Sequence, residues 1–167
     1  DQDGDSDFIG TRYSPGLIFW LECPDDPLNQ VWKYHLVDDK VNGIHGLLVG
    51  DVDKDGTPDL LATSAQPTEP FPNSLVWYRT PKNPRQAVEW HRYVFADGDA
   101  PGLSHYLGLG DVNGDGYADV IVGAPNNDDG STDAGKVYVF EGTTDGISTT
   151  ASHGQYGEYS GENLGTR

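Results

Sequence analysis

The sequence predicts an all-β chain of β-propeller blades, about three four-stranded blades in a partial propeller, with Asp-rich loops between strands. Three observations carry that expectation. An acidic loop recurs in one register, short alternating strands recur around it, and 22 glycines and 11 prolines punctuate the 167 residues too often for long amphipathic helices.

The loop is clearest at residues 110–125, GDVNGDGYADVIVGAP. Asp111, Asn113, Asp115 and Asp119 take positions 1, 3, 5 and 9, with Gly116 at position 6, as in the first part of the calcium loop D-x-[DN]-x-[DN]-G. Alternate residues of so tight a turn point at one centre, glycine accepts the sharp bend, and Tyr117 at position 7 offers its backbone carbonyl. Carboxylates this crowded repel one another unless a cation sits among them. An EF-hand needs flanking helices and a bidentate Glu at position 12, whereas position 12 here is Val122 in a β-branched run. The loop therefore lies between strands.

One such loop is also consistent with a surface turn rich in Asp and Gly. Recurrence favours the metal. GDVDKDGTPDLL places Asp51, Asp53, Asp55, Gly56 and Asp59 in the same frame, with Thr57 at the carbonyl position. The opening DQDGDSDFI fits from position 3 onward, with Asp1, Asp3, Gly4, Asp5 and Asp7 at positions 3, 5, 6, 7 and 9. The expected cofactor is Ca²⁺ at two complete sites, and Asp1, Asp3, Asp5 and Asp7 form an incomplete third that lacks position 1.

The strands follow the same period. Asp7 to Asp59 spans 52 residues and Asp59 to Asp119 spans 60, a spacing typical of solenoids, propellers and arrays. After the loops come DFIGTRYS, DLLATSA and DVIVGAP, and then LIFWLE, SLVWYRT and KVYVFEG, where aromatic and β-branched residues alternate. VWKYHLV and VEWHRYVF end the first two periods, and IHGLLVGD and LSHYLGLGD lead into the next loop. Four strands per repeat predict propeller blades, with approximate repeats 1–50, 51–110 and 111–167. Both ends fall within a repeat, so the chain is expected to be a window of a longer propeller.

GDVNGDGYADVIVGAP followed by GKVYVFEG closely resembles the FG-GAP repeat of integrin alpha-subunit propellers and the related VCBS-type repeats of bacterial surface and secreted proteins. The resemblance covers almost the whole chain and is most specific in the third period. WLE, WYR, Tyr34-His35 and Trp90-His91 look more like the bacterial repeats. The slots of the family's F-G-x-S element hold NGIH at 42–45, GLSH at 102–105 and LGTR at 164–167, without the Phe. The resemblance implies a calcium-stabilised extracellular scaffold for recognition or adhesion. Some secreted propellers with similar repeats are lyases or dehydratases acting on sugars, which gives an enzymatic alternative.

A net charge of −17 argues against nucleic acid or an anionic membrane as partner. A protein or carbohydrate ligand is expected instead, together with further blades of the same chain. Asp128, Asp129 and Asp133 in NNDDGSTDAG read as a solvated loop. The single Cys23 allows no intrachain disulfide, leaving calcium to stabilise the fold. Extracellular modules bind calcium on the order of 10⁻⁴ to 10⁻³ M, which suits a secreted or surface protein. Apolar runs shorter than about ten residues predict no membrane insertion.

Five histidines bear on catalysis. His45 and His105 each precede a loop Asp by six residues, and His35 and His91 each follow an aromatic residue. Equivalent histidines around a channel could bind zinc or move protons, but repeats also copy a packing residue along with the rest of the blade. The expectation is packing, and no catalytic residue is assigned. Trp20, Trp32, Trp77 and Trp90 sit in strand patterns and are expected in the blade core rather than against sugar rings. A last alternative is strand exchange, in which the tail GENLGTR of one copy pairs with the head of the next, building rings or filaments.

Overall fold

In the computed structural model of the chain, residues 1–64, 74–96, 106–128 and 130–166 are described. His105 and Asp129 lie outside the described residues, as does most of the GLSH segment. The described residues form strands and turns without a helix, and so none long and apolar enough to cross a membrane.

Alternating side chains and short turns give three antiparallel sheets. Strands β1 (Phe8–Arg12), β2 (Leu17–Glu22) and β3 (Lys33–Asp38) pair in the order β1-β2-β3. Strands β4 (Ile44–Gly50), β5 (Asp59–Ser64), β6 (Leu75–Tyr78) and β7 (Arg92–Ala96) form the second sheet in chain order. The third contains β8 (Tyr106–Gly110), β9 (Asp119–Ala124) and β10 (Lys136–Phe140). A two-stranded hairpin, β11 (Gly142–Thr143) and β12 (Gly146–Ile147), follows, and β13 (His153–Tyr156) closes the third sheet in the order β13-β10-β9-β8. Each approach strand thus pairs with the strand after its loop: Gly50 faces Asp59 and Gly110 faces Asp119 across the ladders.

The period of two explains how the sheets stack. In β5, Leu60 and Ala62 join Ile18, Trp20, Val37, Val76 and Tyr78 between the first and second sheets. Leu61 faces the other way and joins Leu75, Trp77, Phe95, Val120, Val122 and Phe140 between the second and third. Strand β5 is buried along its whole length because a sheet covers each face, and each fully buried Leu contributes roughly 1.5–3 kcal/mol. Trp20, Trp77 and Trp90 are core residues, while Trp32 is half-buried and donates its indole N–H to the Pro27 carbonyl at 3.1 Å.

Strands β4 and β8 approach closely at a glycine. A Cβ at Gly50 would stand 2.3 Å from Leu109 Cδ2, so the bare backbone of β4 admits the leucine of β8. A buried polar link also crosses the first interface. The Tyr78 hydroxyl donates to Asp38 Oδ2 at 2.8 Å, and Arg92 Nε donates to the same oxygen at 2.6 Å.

The polar segment TTDGISTTASHG contains β12 and the start of β13. Strand β13 was invisible because its four residues are all exposed and carry no apolar alternation. It is an edge strand held by its ladder to β10, with Tyr156 opposite Lys136 and its hydroxyl 2.8 Å from Lys136 Nζ. The tail pairs with its own chain: Asn163 N–H donates to the Asp133 carbonyl at 3.0 Å and Leu164 N–H to the Ala134 carbonyl at 2.9 Å. Exchange between copies would have to break these bonds.

Candidate metal centre

The three acidic loops share one backbone. Position 4 has positive φ in each, at Gln2 (69°), Lys54 (59°) and Gly114 (79°), and so does position 6, at Gly4 (103°), Gly56 (86°) and Gly116 (89°). Glycine suits position 6 because it carries no Cβ to oppose that conformation. Side-chain oxygens of the loops close the turns onto the chain ahead. The position-3 residue accepts the position-5 amide in all three, Asp1 from Asp3, Asp53 from Asp55 and Asn113 from Asp115, at 3.2, 3.2 and 2.8 Å. The position-5 residue likewise accepts the position-7 amide, at 3.3 Å for Asp3, 2.8 Å for Asp55 and 2.8 Å for Asp115.

Position 9 does something the spacing did not announce. Asp7 Oδ1 accepts the Cys23 amide at 3.0 Å, Asp59 Oδ1 the Thr80 amide at 2.9 Å, and Asp119 Oδ1 the Gly142 amide at 2.9 Å. Each of these aspartates ties the end of its loop to the chain leaving the next strand.

Loop 2 gathers its carboxylates. Asp51, Asp53 and Asp59 bring ligand oxygens within 4.8 Å of one another, the group of this kind found among the described residues. Asp59 is fully buried. Asp51 Oδ2 accepts the Gly56 amide at 3.0 Å, while Asp51 Oδ1 is buried without a hydrogen bond. Burial pushes the Asp59 carboxyl up to about 6, against the pull of the Thr80 amide, the Trp77 indole and the Val52 amide. Three converging carboxylates, one with a buried oxygen that no donor reaches, fit a hard cation that takes oxygen ligands.

Asp55 is also in this loop, but its second oxygen and that of Asp53 face Arg79. Arg79 Nε lies 2.7 Å from Asp53 Oδ2 and Nη2 lies 3.1 Å from Asp55 Oδ2. The Thr57 amide above all, with help from Arg79, holds the Asp55 carboxyl below the usual carboxylate range although desolvation opposes it. In loop 1, Arg85 Nε lies 2.8 Å from Asp1 Oδ2 and 2.9 Å from Glu22 Oε1, and its Nη2 pairs with Asp3 Oδ2.

Loop 3 is satisfied internally. Asp111 Oδ1 and Oδ2 accept the Gly114 and Gly116 amides at 2.7 and 2.9 Å, and Asp119 Oδ2 accepts the Val112 amide at 2.8 Å. Asn113 Nδ2 donates to Asp115 Oδ2 at 3.1 Å. The two loops also differ in packing. Val52 at position 2 of loop 2 is buried in the core with the third sheet, whereas its counterpart Val112 is exposed.

Neighbouring loops also touch in a repeated way. Position 4 of one reaches position 7 of the next: Gln2 Nε2 donates to Thr57 Oγ1 at 2.9 Å, and Lys54 Nζ stands 4.3 Å from the centre of the Tyr117 ring. Both position-7 residues are candidate carbonyl ligands. The guanidinium pairs and these loop-to-loop contacts escaped the sequence because Arg79, Arg85, Gln2 and Lys54 belong to no motif.

The described histidines are spread through the fold. His35 is buried, stacks on Trp20 with ring centres 4.1 Å apart, and meets Glu22 Oε2 at 2.7 Å. His45 meets Tyr13 edge-on at 5.1 Å, and His91 meets Tyr93 edge-on at 4.3 Å.

Residues 107–140, which run from β8 through loop 3 to the end of β10, match the family model described as FG-GAP repeat. This segment is similar to an FG-GAP repeat. FG-GAP repeats form β-propeller blades, and the second sheet repeats the strand–loop–strand order of the matched segment one blade earlier, from β4 through loop 2 to β6. Integrin alpha-PS2 of Drosophila melanogaster is 36% identical over 109 residues, an alignment covering 59% of this chain and 8% of that protein. The chain therefore spans a small part of the relative's length.

Proposed function

We propose that the chain is part of an extracellular recognition or adhesion scaffold whose FG-GAP blades are stabilised by Ca²⁺. The observation that carries the proposal is the convergence of Asp51, Asp53 and Asp59 in loop 2, whose ligand oxygens lie within 4.8 Å of one another, with Asp51 Oδ1 buried and without a hydrogen bond. Asp51, Asp53, Asp55 and Asp59, with the Thr57 carbonyl, would hold one ion. Asp111, Asn113, Asp115 and Asp119, with the Tyr117 carbonyl, would hold another. The ion supplies positive charge that relieves repulsion among the carboxylates, a structural rather than catalytic role. Similarity to an integrin alpha chain and the net charge of −17 support an extracellular setting and a protein or carbohydrate partner.

Thermal melts with calcium and with chelator test the proposal. At a calcium concentration about tenfold above the dissociation constant, binding stabilises the folded state by roughly 1.4 kcal/mol per site. The melting temperature should rise by several degrees in calcium. The double substitution Asp51→Ala and Asp111→Ala should abolish the rise, and identical melts for the unmodified protein would refute the structural ion.

A further inference from the structure

Loop 2 permits an oxygen-by-oxygen account of its four carboxylates. Each gives one oxygen to a backbone amide: Asp51 Oδ2 to Gly56, Asp53 Oδ1 to Asp55, Asp55 Oδ1 to Thr57 and Asp59 Oδ1 to Thr80. The second oxygens of Asp51, Asp53 and Asp55 are bonded to no backbone amide of the loop. Asp51 Oδ1 has no hydrogen bond, Asp59 lies beside the Trp77 indole and the Val52 amide, and Asp53 Oδ2 and Asp55 Oδ2 are both held by Arg79.

From this division we infer that Arg79 is a tethered counter-cation that neutralises Asp53 and Asp55 of loop 2 and competes with a divalent ion for them. The inference rests on the calcium reading of this loop and adds a competitor from the chain itself. Arg79 is suited to the exchange. It follows the last residue of β6 and its side chain is 48% exposed, so the guanidinium can move into water without disturbing the core. Its planar fork spans two carboxylates at once, which a lysine ammonium does less well.

The arrangement recurs from a different place in the sequence. Arg85 presents Nε to Asp1 Oδ2 and Nη2 to Asp3 Oδ2, the same guanidinium atoms on the same oxygens of positions 3 and 5. In loop 3 the amide of Asn113, not an arginine, bonds the position-5 oxygen. The residue preceding the amide that bonds the position-9 Asp is Arg79 in the second blade but Glu22 in the first and Glu141 in the third. Arginine at this place is thus a property of loop 2 and not of the repeat. It keeps the ion-free loop folded by neutralising two carboxylates, and it weakens calcium binding by the same interaction.

The test isolates loop 2 by placing Asp111→Ala in loop 3 and then compares Arg79 with Arg79→Gln. Calcium binding is measured by titration calorimetry up to 10-fold above the expected extracellular range of about 10⁻³ M, and melting is measured in chelator. Arg79→Gln should bind calcium about fivefold more tightly, the scale expected from releasing a half-exposed ion pair, and should melt a few degrees lower without calcium. Unchanged or weaker binding in Arg79→Gln, with measurable binding in its parent, overturns the inference and leaves the calcium reading intact. Binding in neither protein overturns both. Binding in Arg79→Gln alone supports the inference in its strongest form, in which the guanidinium blocks the site.

Discussion

Removing the Asp38 carboxylate should loosen the first and second sheets from one another. Asp38, at the end of β3, receives the Tyr78 hydroxyl from β6 and Arg92 Nε from β7, both on Oδ2, while Oδ1 accepts the Lys40 amide at 2.8 Å. The Asp38 side chain is 1% exposed and that of Arg92 14% exposed. Burial, reinforced by the Asp38 charge, pushes the Tyr78 hydroxyl well above its ordinary range, so it remains a donor throughout the physiological pH range. Asp38→Ala leaves a mostly buried guanidinium without its counter-charge and a buried hydroxyl without its acceptor. Breaking a buried pair from one side costs about 3–5 kcal/mol. Tyr78→Phe removes one donor and leaves the ion pair intact, so its cost should be about 1.5–3 kcal/mol, the range for hydrogen bonds to charged groups. A chain of this length loses roughly 2–4 °C of melting temperature per kcal/mol, which puts Asp38→Ala some 6–20 °C below the parent. Chemical denaturation of both single variants and of the double variant in chelator checks the ordering. Asp38→Ala costing no more than Tyr78→Phe would refute the argument, as would full additivity of the two substitutions.

Three further outcomes follow from named contacts. Asp59→Asn keeps the acceptor for the Thr80 amide and removes a buried negative charge from beside Asp51 and Asp53. It should therefore melt higher than the parent in chelator, by about 1–2 kcal/mol, while losing the rise on adding calcium; a lower melt in chelator would contradict this. At position 54, where φ is 59°, Lys54→Gly should be more stable than Lys54→Ala by about 1 kcal/mol, because glycine alone tolerates that backbone without a Cβ cost. Urea denaturation reads the difference, and the reverse order would count against the loop conformation. Gly146→Ala places a Cβ 2.3 Å from Trp77 Cζ3 at a φ of 114° and should cost about 2 kcal/mol or more, so a loss under about 0.5 kcal/mol would mean that the hairpin β11–β12 sits elsewhere.

The features that the sequence made legible are those written at fixed spacing. Strands β2, β4, β5, β9 and β10 announce themselves because a half-buried or fully buried strand needs apolar residues at short period, and LIFWLE, GLLVG, DLLATS, DVIVGA and KVYVF supply them. Strand β13 does not, since an exposed edge strand is held by backbone pairing that any residues can provide. The loops were legible for the same reason as the strands: a turn of fixed geometry needs glycine at position 6 and short oxygen-bearing side chains at alternate positions. What spacing could not convey is which carboxylate oxygens are already engaged. That depends on Arg79 from the chain after β6 and on Arg85, contacts separated from their loops by many residues.

The position-9 aspartates sharpen this point. Asp7, Asp59 and Asp119 each bond an amide of a distant segment, so an Asp at that place has work in the fold before any cation is considered. Its recurrence at all three loops is explained by the hairpin it closes, and it says less about metal than the motif spacing suggests. The distinguishing residue is instead position 1. Asp51 gives one oxygen to Gly56 and keeps the other buried and unpartnered, whereas Asp111 gives both to backbone amides. Asp111 is thus engaged by its own backbone at both oxygens, whereas the outer oxygens of Asp53 and Asp55 are engaged by the Arg79 side chain. The two complete loops thus neutralise the same positions differently, one with its own backbone amides and the other with a side chain from beyond β6.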